Sequence, residues 1–443
     1  MGALALAFLP GHCQCMELFS LGNGAPLAVE SDARLERETF IFAFDTGARV
    51  LDARDAGTLP LLKELYDRRF RARVDEELEL GMEWGLAYDG RGVDVWLKAP
   101  APTLQEAAGL IWEAISRELP VEADLGKAKE QSGYTATGAL SQPKFGLNFF
   151  ARRDLFAGNP EFVGPESGPK AQRALDLSRI EAARKKLFDP ARLSYAAVGP
   201  MSPASLKAWL EVFASRFQGK PIYQAALAQP KDPMAYLPAG VRVRIWPQPR
   251  LKECLVTWVS PQPALSGPSQ ILHASVAMQI FDGGMDGFMN RELRTKRGLT
   301  YYAAGSQDQV SWTLYSQCDE ARLGEMLALW PALLQKFQAQ AFDEASIHDS
   351  VSAVRARLSR MLAMPWDALF LGLYDWRWQG RRDLAPAQLE LAVDPGKVAD
   401  FARSLTFSQG CLYIAGNEEA IRKALSKAGW VGKDIGILDT DGL

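Results

Sequence analysis

Two stretches of the chain alternate in the manner of half-buried strands, and each opens a series of elements. They are RETFIFAFDTGAR from Arg37 and LKECLVTWVSPQ from Leu251. A helical segment follows each. Next come GLAYDGRGVDVWLKAP from Gly85 and GLTYYAAGSQDQVSWTLYSQ from Gly298, which read as hairpins with Gly or polar turns. Apolar residues then recur at helical spacing in TLQEAAGLIWEAISREL from Thr103 and EARLGEMLALWPALLQKF from Glu320. Another helix is expected around Asp124–Leu140 and around Asp343–Leu362. A buried strand ending in glycine closes each series, LSYAAVG at Gly199 and CLYIAG at Gly416.

The order repeats at a nearly constant shift: 213 residues relate Gly85 to Gly298, and 217 relate Gly199 to Gly416. This is the mark of an internal duplication. The predicted fold class is α+β: two homologous domains, each a mainly antiparallel sheet with helices packed on one side. The boundaries read as residues 16–218 and 241–443. Between them Gly219–Gly240, rich in Pro and Ala, reads as an extended linker.

A chain of 443 residues exceeds one ordinary core, and a hydrophobic share of 48% suffices to bury two. The net charge of −3 excludes the electrostatic footprint of a nucleic-acid binder. Arg68, Arg69, Arg71 and Arg73 stand close together. Asp67 and the acidic run Asp75–Glu79 flank them, so they read as a solvated helix face. Cys13, Cys15, Cys254, Cys318 and Cys411 form no CxxC pair. Cys254 and Cys318 lie in strand-like runs and read as buried thiols. No run of about twenty apolar residues spans a membrane. Residues 1–15 are a candidate signal peptide: ALALAFL is a short apolar core and Cys13-Gln14-Cys15 a small-x-small pattern, without the basic first region. A periplasmic location follows from that reading, and a cytoplasmic one from the alternative that the stretch is structural.

The order of elements, together with LRTKRGLTY in the second half, resembles the M16 zinc peptidases, the family of pitrilysin, insulin-degrading enzyme and mitochondrial processing peptidase. The two-domain length is most similar to the bacterial M16B branch. Members carry the inverted zinc motif HxxEH on the first helix of the N-terminal domain. Here Gly47-Ala48-Arg49 supplies the preceding turn and Gly57 the end of its loop. The motif then falls on Pro60, Leu61, Leu62, Lys63 and Glu64. Catalytic zinc needs three protein ligands and an open position for water, and its base must accept a proton. Pro60 offers no ligand, Lys63 brings a positive charge, and Glu64 stands alone. The histidines are His12, His273 and His348, none of them in an HxxEH. His273, in an apolar helix, reads as a core histidine. The expectation is no metal or other cofactor in this chain, with zinc held by a partner.

In M16 peptidases the second domain supplies an Arg and a Tyr that hold the substrate backbone. The resemblance implies Arg294 and Tyr301, spaced R-x6-Y. Gly298 can end the Arg-bearing helix, and Leu299, Tyr301 and Ala303 would share one face of the following strand. The competing reading makes Arg294 the partner of Glu292, and Tyr301 a packed strand residue. The first half sets Tyr88 against Tyr301 and Gly81 against Arg294, which makes the Arg particular to the second half. Gly283, Gly284 and Gly287 form either a substrate-side loop or a plain turn between helices. Trp96, Trp112, Trp258, Trp312 and Trp330 are expected in the core. Trp366, Trp376 and Trp378 line a chamber, a subunit contact or the core.

The resemblance therefore implies a non-catalytic, substrate-binding subunit of a heterodimeric M16B metallopeptidase. An HxxEH-bearing partner would supply the zinc, and peptides would be cleaved. The alternative is a catalytically inert peptide-binding or scaffold protein of the same fold. An independent hydrolase is disfavoured, because no G-x-S-x-G occurs and His is scarce.

Overall fold

The structure is a computed structural model. It describes residues 17–55, 57–71, 79–116, 122–156, 159–163, 169–217, 232–379, 384–430 and 433–438. The candidate signal peptide and most of the linker lie outside the described residues.

The first sheet holds β1 (Glu17–Ser20), β2 (Pro26–Ser31), β3 (Glu38–Phe44), β4 (Glu83–Tyr88), β5 (Val93–Ala99) and β6 (Leu193–Gly199), in the order β1-β2-β6-β3-β5-β4. The second holds β7 (Val241–Pro247), β8 (Glu253–Pro261), β9 (Tyr302–Gln307), β10 (Ser311–Asp319), β11 (Gly410–Gly416) and β12 (Asp434–Ile437), in the order β12-β7-β11-β8-β10-β9. Five strands recur in the same spatial order, so the duplication read from the sequence is real. Most pairs are antiparallel; β2 with β6, β7 with β11, and β12 with β7 are parallel.

The longer helices of the first half are α1 (Thr58–Arg71), α2 (Leu104–Ser116), α3 (Glu122–Ser141), α4 (Pro143–Leu155), α5 (Leu177–Leu187) and α6 (Pro203–Phe217). The second half contributes α7 (Gly267–Asp282), α8 (Leu323–Gln338), α9 (Glu344–Ala363), α10 (Pro365–Gln379), α11 (Pro395–Ser404) and α12 (Glu418–Lys427). Helices of each half cover one face of their own sheet. On α2 the buried positions Leu104, Ala107, Ala108, Ile111, Trp112 and Ile115 make one stripe, which joins Phe40, Phe42 and Phe44 in a core.

The opposite faces are covered by exchange. Leu147, Phe150, Ala151 and Leu155 of α4 pack on Val259, Cys411, Tyr413 and Ala415 of the second sheet. Leu369 and Leu373 of α10 pack on Ile41, Ala43, Ala196 and Val198 of the first. Burying each of the larger side chains contributes roughly 1.5–3 kcal/mol relative to exposure. Coverage on both faces explains why every residue of β3, β6 and β11 is buried. One helical turn beyond Leu373, Arg377 reaches into the first half. Its guanidinium bonds both oxygens of Asp94 at 2.6 and 2.8 Å and Asp45 at 3.3 Å, all buried. Gly92 leaves the space, since a Cβ there would stand 2.1 Å from the Arg377 Cζ. Trp366 packs edge-on against Trp96, with ring centroids 4.9 Å apart, so this tryptophan belongs to the seam between the halves.

Both hairpins close with the same turn. Asp89 Oδ1 accepts from the Arg91 and Gly92 N–H groups, and Asp308 Oδ1 from those of Val310 and Ser311. A shift of 219 residues thus carries Asp89 onto Asp308, and the 213 inferred from the glycines is corrected. Tyr88 matches Gln307, Met82 matches Tyr301, and the counterpart of Arg294 is Asp75, outside the described residues. The two glycines were misleading because they do different work. Gly298 takes φ +59 to stop a helix, whereas Gly85 lies within β4, where a Cβ would meet the Trp96 ring at 2.4 Å.

Candidate functional site

The region around Arg294 begins where α7 ends at Asp282. The chain turns through Gly283, a 3-10 turn Gly284–Asp286 and Gly287. It then enters a short helical turn Phe288–Asn290 and a π-helical turn Arg291–Thr295. Gly284 has φ +70, in the left-handed region. A Cβ on Gly283 would lie 2.4 Å from the Gln279 carbonyl oxygen, and one on Gly287 2.5 Å from the Gly283 nitrogen. This tight path accounts for all three glycines.

The π turn is set by the Lys296 N–H, which bonds the Arg291 carbonyl at 3.0 Å, one residue further back than in an α-helix. Gly298 ends it in the left-handed conformation, as its type predicts. Arg322 donates to the carbonyls of Gly298 at 3.0 Å and Arg297 at 3.2 Å. Two buried polar side chains fix the turn to its surroundings. Asn290 donates to the Gly284 carbonyl at 2.7 Å and the Ala303 carbonyl at 2.5 Å, and accepts the Ala303 N–H at 3.0 Å. Glu292 accepts from Lys296, Arg297 and Lys336 at 2.7–2.8 Å. Burial works against its charge, but these hydrogen bonds outweigh it and hold the carboxyl down at about 2.

On this frame Arg294 is half-buried and lies over the Tyr301 ring, 5.2 Å from its centroid. It also donates to the Met285 sulfur. Tyr301 is 73% exposed. The structure therefore brings the two predicted residues together at the surface, beside the loop of Gly283, Gly284 and Gly287. Glu292 turns to other cations, so the competing Arg294–Glu292 pair does not form. One expectation is corrected: Tyr301 does not share a strand face with Leu299 and Ala303, which are buried. The Thr300 hydroxyl bonds the Tyr302 carbonyl at 2.7 Å and Ser316 Oγ at 3.0 Å, so the chain bends and β9 begins only at Tyr302.

The segment aligned with the zinc motif forms part of α1. Leu61 and Leu62 are buried in the core, and Lys63 pairs with Asp67 at 2.7 Å, one turn along. Among the described residues no group of three His, Cys, Asp or Glu is placed to hold a metal. The donors present do not fit a catalytic zinc. His273 is a core histidine: Nδ1 faces the Ser269 carbonyl at 2.5 Å, and Nε2 accepts the Asp394 N–H at 2.8 Å. Upstream, Gly47 holds the Gly47-Ala48-Arg49 turn at φ +62. Arg49 donates to the Asp45 carbonyl at 3.0 Å. Burial, aided by nearby Arg91, pushes its guanidinium down to about 10.

Comparison with known proteins accords with this architecture. Residues 174–354 match the family model described as the Peptidase M16 inactive domain. A peptidase M16 inactive domain from Pseudomonas fluorescens is similar over 91% of this chain and 98% of its own, at 16% identity and a TM-score of 0.75. The periplasmic protease PqqL from Escherichia coli is similar over 90% of this chain but 45% of its own, at 14% identity and a TM-score of 0.70. A chain of complex III2 from Candida albicans is similar over 93% of this chain and 99% of its own, at 14% identity and a TM-score of 0.71. At such identities the likeness speaks for the fold alone. No curated protein sequence matches significantly. Residues 174–354 thus match an M16 inactive domain, and the fold of the whole chain is the two-domain M16 fold. No helix among the described residues is long and apolar enough to cross a membrane.

Proposed function

We propose that this chain is the non-catalytic, substrate-binding subunit of a heterodimeric M16B zinc metallopeptidase. A sister chain with an intact HxxEH holds the zinc, the water and the general base. This chain closes the chamber and presents Arg294 and Tyr301 to the scissile peptide. One observation carries the reading: a guanidinium and a phenol stand together at the surface on a frame that Asn290 and Glu292 hold rigid. Arg294 has N–H groups to spare for a carbonyl or a developing oxyanion, and one such donor is typically worth about 2.7–4 kcal/mol in the transition state. The candidate signal peptide supports a periplasmic setting.

The test is reconstitution. The chain alone should bind no zinc and hydrolyse nothing, and peptide cleavage should appear on mixing with the sister. Arg294→Ala should then lower turnover by ~10-fold or more. Full activity of that variant would remove the role assigned to the pair. A second reading, an inert scaffold, draws on the similarity to a chain of complex III2. Stable co-purification with a partner that itself lacks HxxEH would favour it.

A further inference from the structure

A second polar site lies beside the first, on the other side of Asp282. A cavity of about 390 Å³ opens between α7 and the far end of β9, within the range that holds a small ligand. Ser275, Gln279 and Asp282 wall it from α7; Gly305 and Gln307 wall it from β9. We infer that this cavity binds an organic cation, a guanidinium or ammonium group on a peptide side chain, with Asp282 as counter-ion and Gln307 as second acceptor. That the carrier is a peptide rests on the function proposed above; the cation site itself does not.

The chemistry of the wall selects the ligand. Asp282 ends α7 and accepts the Gly305 N–H, and Asn290 Nδ2 lies 3.5 Å from its Oδ1. A Cβ on Gly305 would come within 3.2 Å of the Asp282 Cβ, so the glycine lets the carboxyl approach the strand. The Gln307 amide nitrogen points to Ser275 Oγ at 3.4 Å, and its oxygen is buried with no hydrogen-bond partner among the described residues. A buried acceptor without a donor is what a ligand's N–H would satisfy. A hard metal ion is a poor occupant, because it wants six or more oxygen ligands.

The other charged and titratable groups nearby are few. Asp308 lines the site from the turn after β9, Tyr374 from α10 and Arg357 from α9, and Tyr302 on β9 feels the Asp282 charge. Asp308 is engaged with Arg152. Arg357 is exposed, where solvent screens it. Burial pushes the Asp282 carboxyl up to about 7 against the pull of the Gly305 N–H. A bound cation favours the ionised form, so binding releases a proton and strengthens as pH rises through about 7.

The test uses the full chain with acetyl-Ala-Arg-Ala-amide and its citrulline counterpart, which has nearly the same shape but no charge. Dissociation constants are measured by calorimetry or ligand-observed NMR at pH 6, 7 and 8. The arginine peptide should bind at least ~5-fold tighter than the citrulline peptide, with affinity rising roughly tenfold from pH 6 to 8. Asp282→Asn should abolish both the preference and the pH slope. Gln307→Met should weaken binding while keeping the slope. Arg294→Ala should leave the arginine-over-citrulline ratio and the pH slope unchanged whatever it does to overall peptide affinity, which separates failure of this site from failure of the donor pair. Equal affinity for the two peptides, a flat profile in the unaltered protein, or a preference retained in Asp282→Asn would each overturn the inference. If Asp282→Asn fails to fold, the peptide pair and pH profile of the unaltered protein decide alone.

Discussion

The two hairpins are copies with different outer edges. In both, an aspartate closes the turn through the same pair of backbone N–H groups. In both, the ladder register leaves alternate residues facing away from the neighbouring strand: Trp84 and Leu86 on β4, Ala303 and Gly305 on β9. On β9 those outward groups are taken by Asn290 and Asp282. Among the described residues no such clamp is seen on Trp84 or Leu86. Duplication preserved what shapes the hairpin and changed what surrounds it. The Arg294 turn is fastened to β9 through that clamp, so the divergent edge and the candidate site are one construction.

The seam between the halves offers the sharpest challenge to this symmetry. Arg377→Ala would strand Asp94 and Asp45 in the interior, and should lower stability by about 3–5 kcal/mol in denaturant titration. A loss below about 1 kcal/mol would show that the exchanged helix needs no polar anchor. Asn290→Ala should follow at about 2–4 kcal/mol, because it leaves the Ala303 N–H and two carbonyls without partners. Hydrogen exchange at the Ala303 amide should speed up, while the amide of Leu86 is unchanged. Equal effects at both edges would erase the contrast.

Glu38 tests a subtler difference. It packs against Gly199 at the end of β6, as Cys254 packs against Gly416 at the end of β11. Burial raises the Glu38 carboxyl to about 7, against the opposing Met201 N–H. The folded state thus holds its proton more tightly than the unfolded one. The associated stability is complete below about pH 4 and is lost as pH rises through about 7. Glu38→Gln should flatten that window and gain ~2 kcal/mol at pH 8; an unchanged pH profile would count against it. The smallest effect is expected at Arg152, whose contact with Asp308 is partly open to solvent. Arg152 also donates to the Phe162 carbonyl at 2.5 and 3.0 Å, so Arg152→Ala should lose about 1–2 kcal/mol, although it also spans the halves.

Much of this was legible along the chain because it is local. Strand alternation, helical stripes and the helix-stopping Gly298 act within a few residues. The contact of Arg294 with Tyr301 was readable through the R-x6-Y spacing that the resemblance to M16 peptidases implies. What escaped depends on distant neighbours. Nothing in the Leu147–Leu155 stripe says that its partner is the second sheet, nor in Leu369 and Leu373 that theirs is the first. Asn290 gave a faint signal, a polar residue in the apolar run of Phe288 and Met289, yet only β9 gives it a purpose. Glu292 stands near enough to Arg294 along the chain to pair with it; two of its three actual cations stand within five residues, but Lys336 arrives from another helix. The Trp366 side chain could not be assigned to core or chamber without Trp96 across the seam.

The reciprocal helix exchange also has a schedule. The strip of Ile41, Ala43, Ala196 and Val198 is synthesised before Leu369 and Leu373 exist to cover it. At ordinary rates of translation that interval is roughly 10–35 s, long enough for sticky surface to find the wrong companion. A nascent first half therefore needs an escort, or a tolerant environment, until its sibling emerges to complete it.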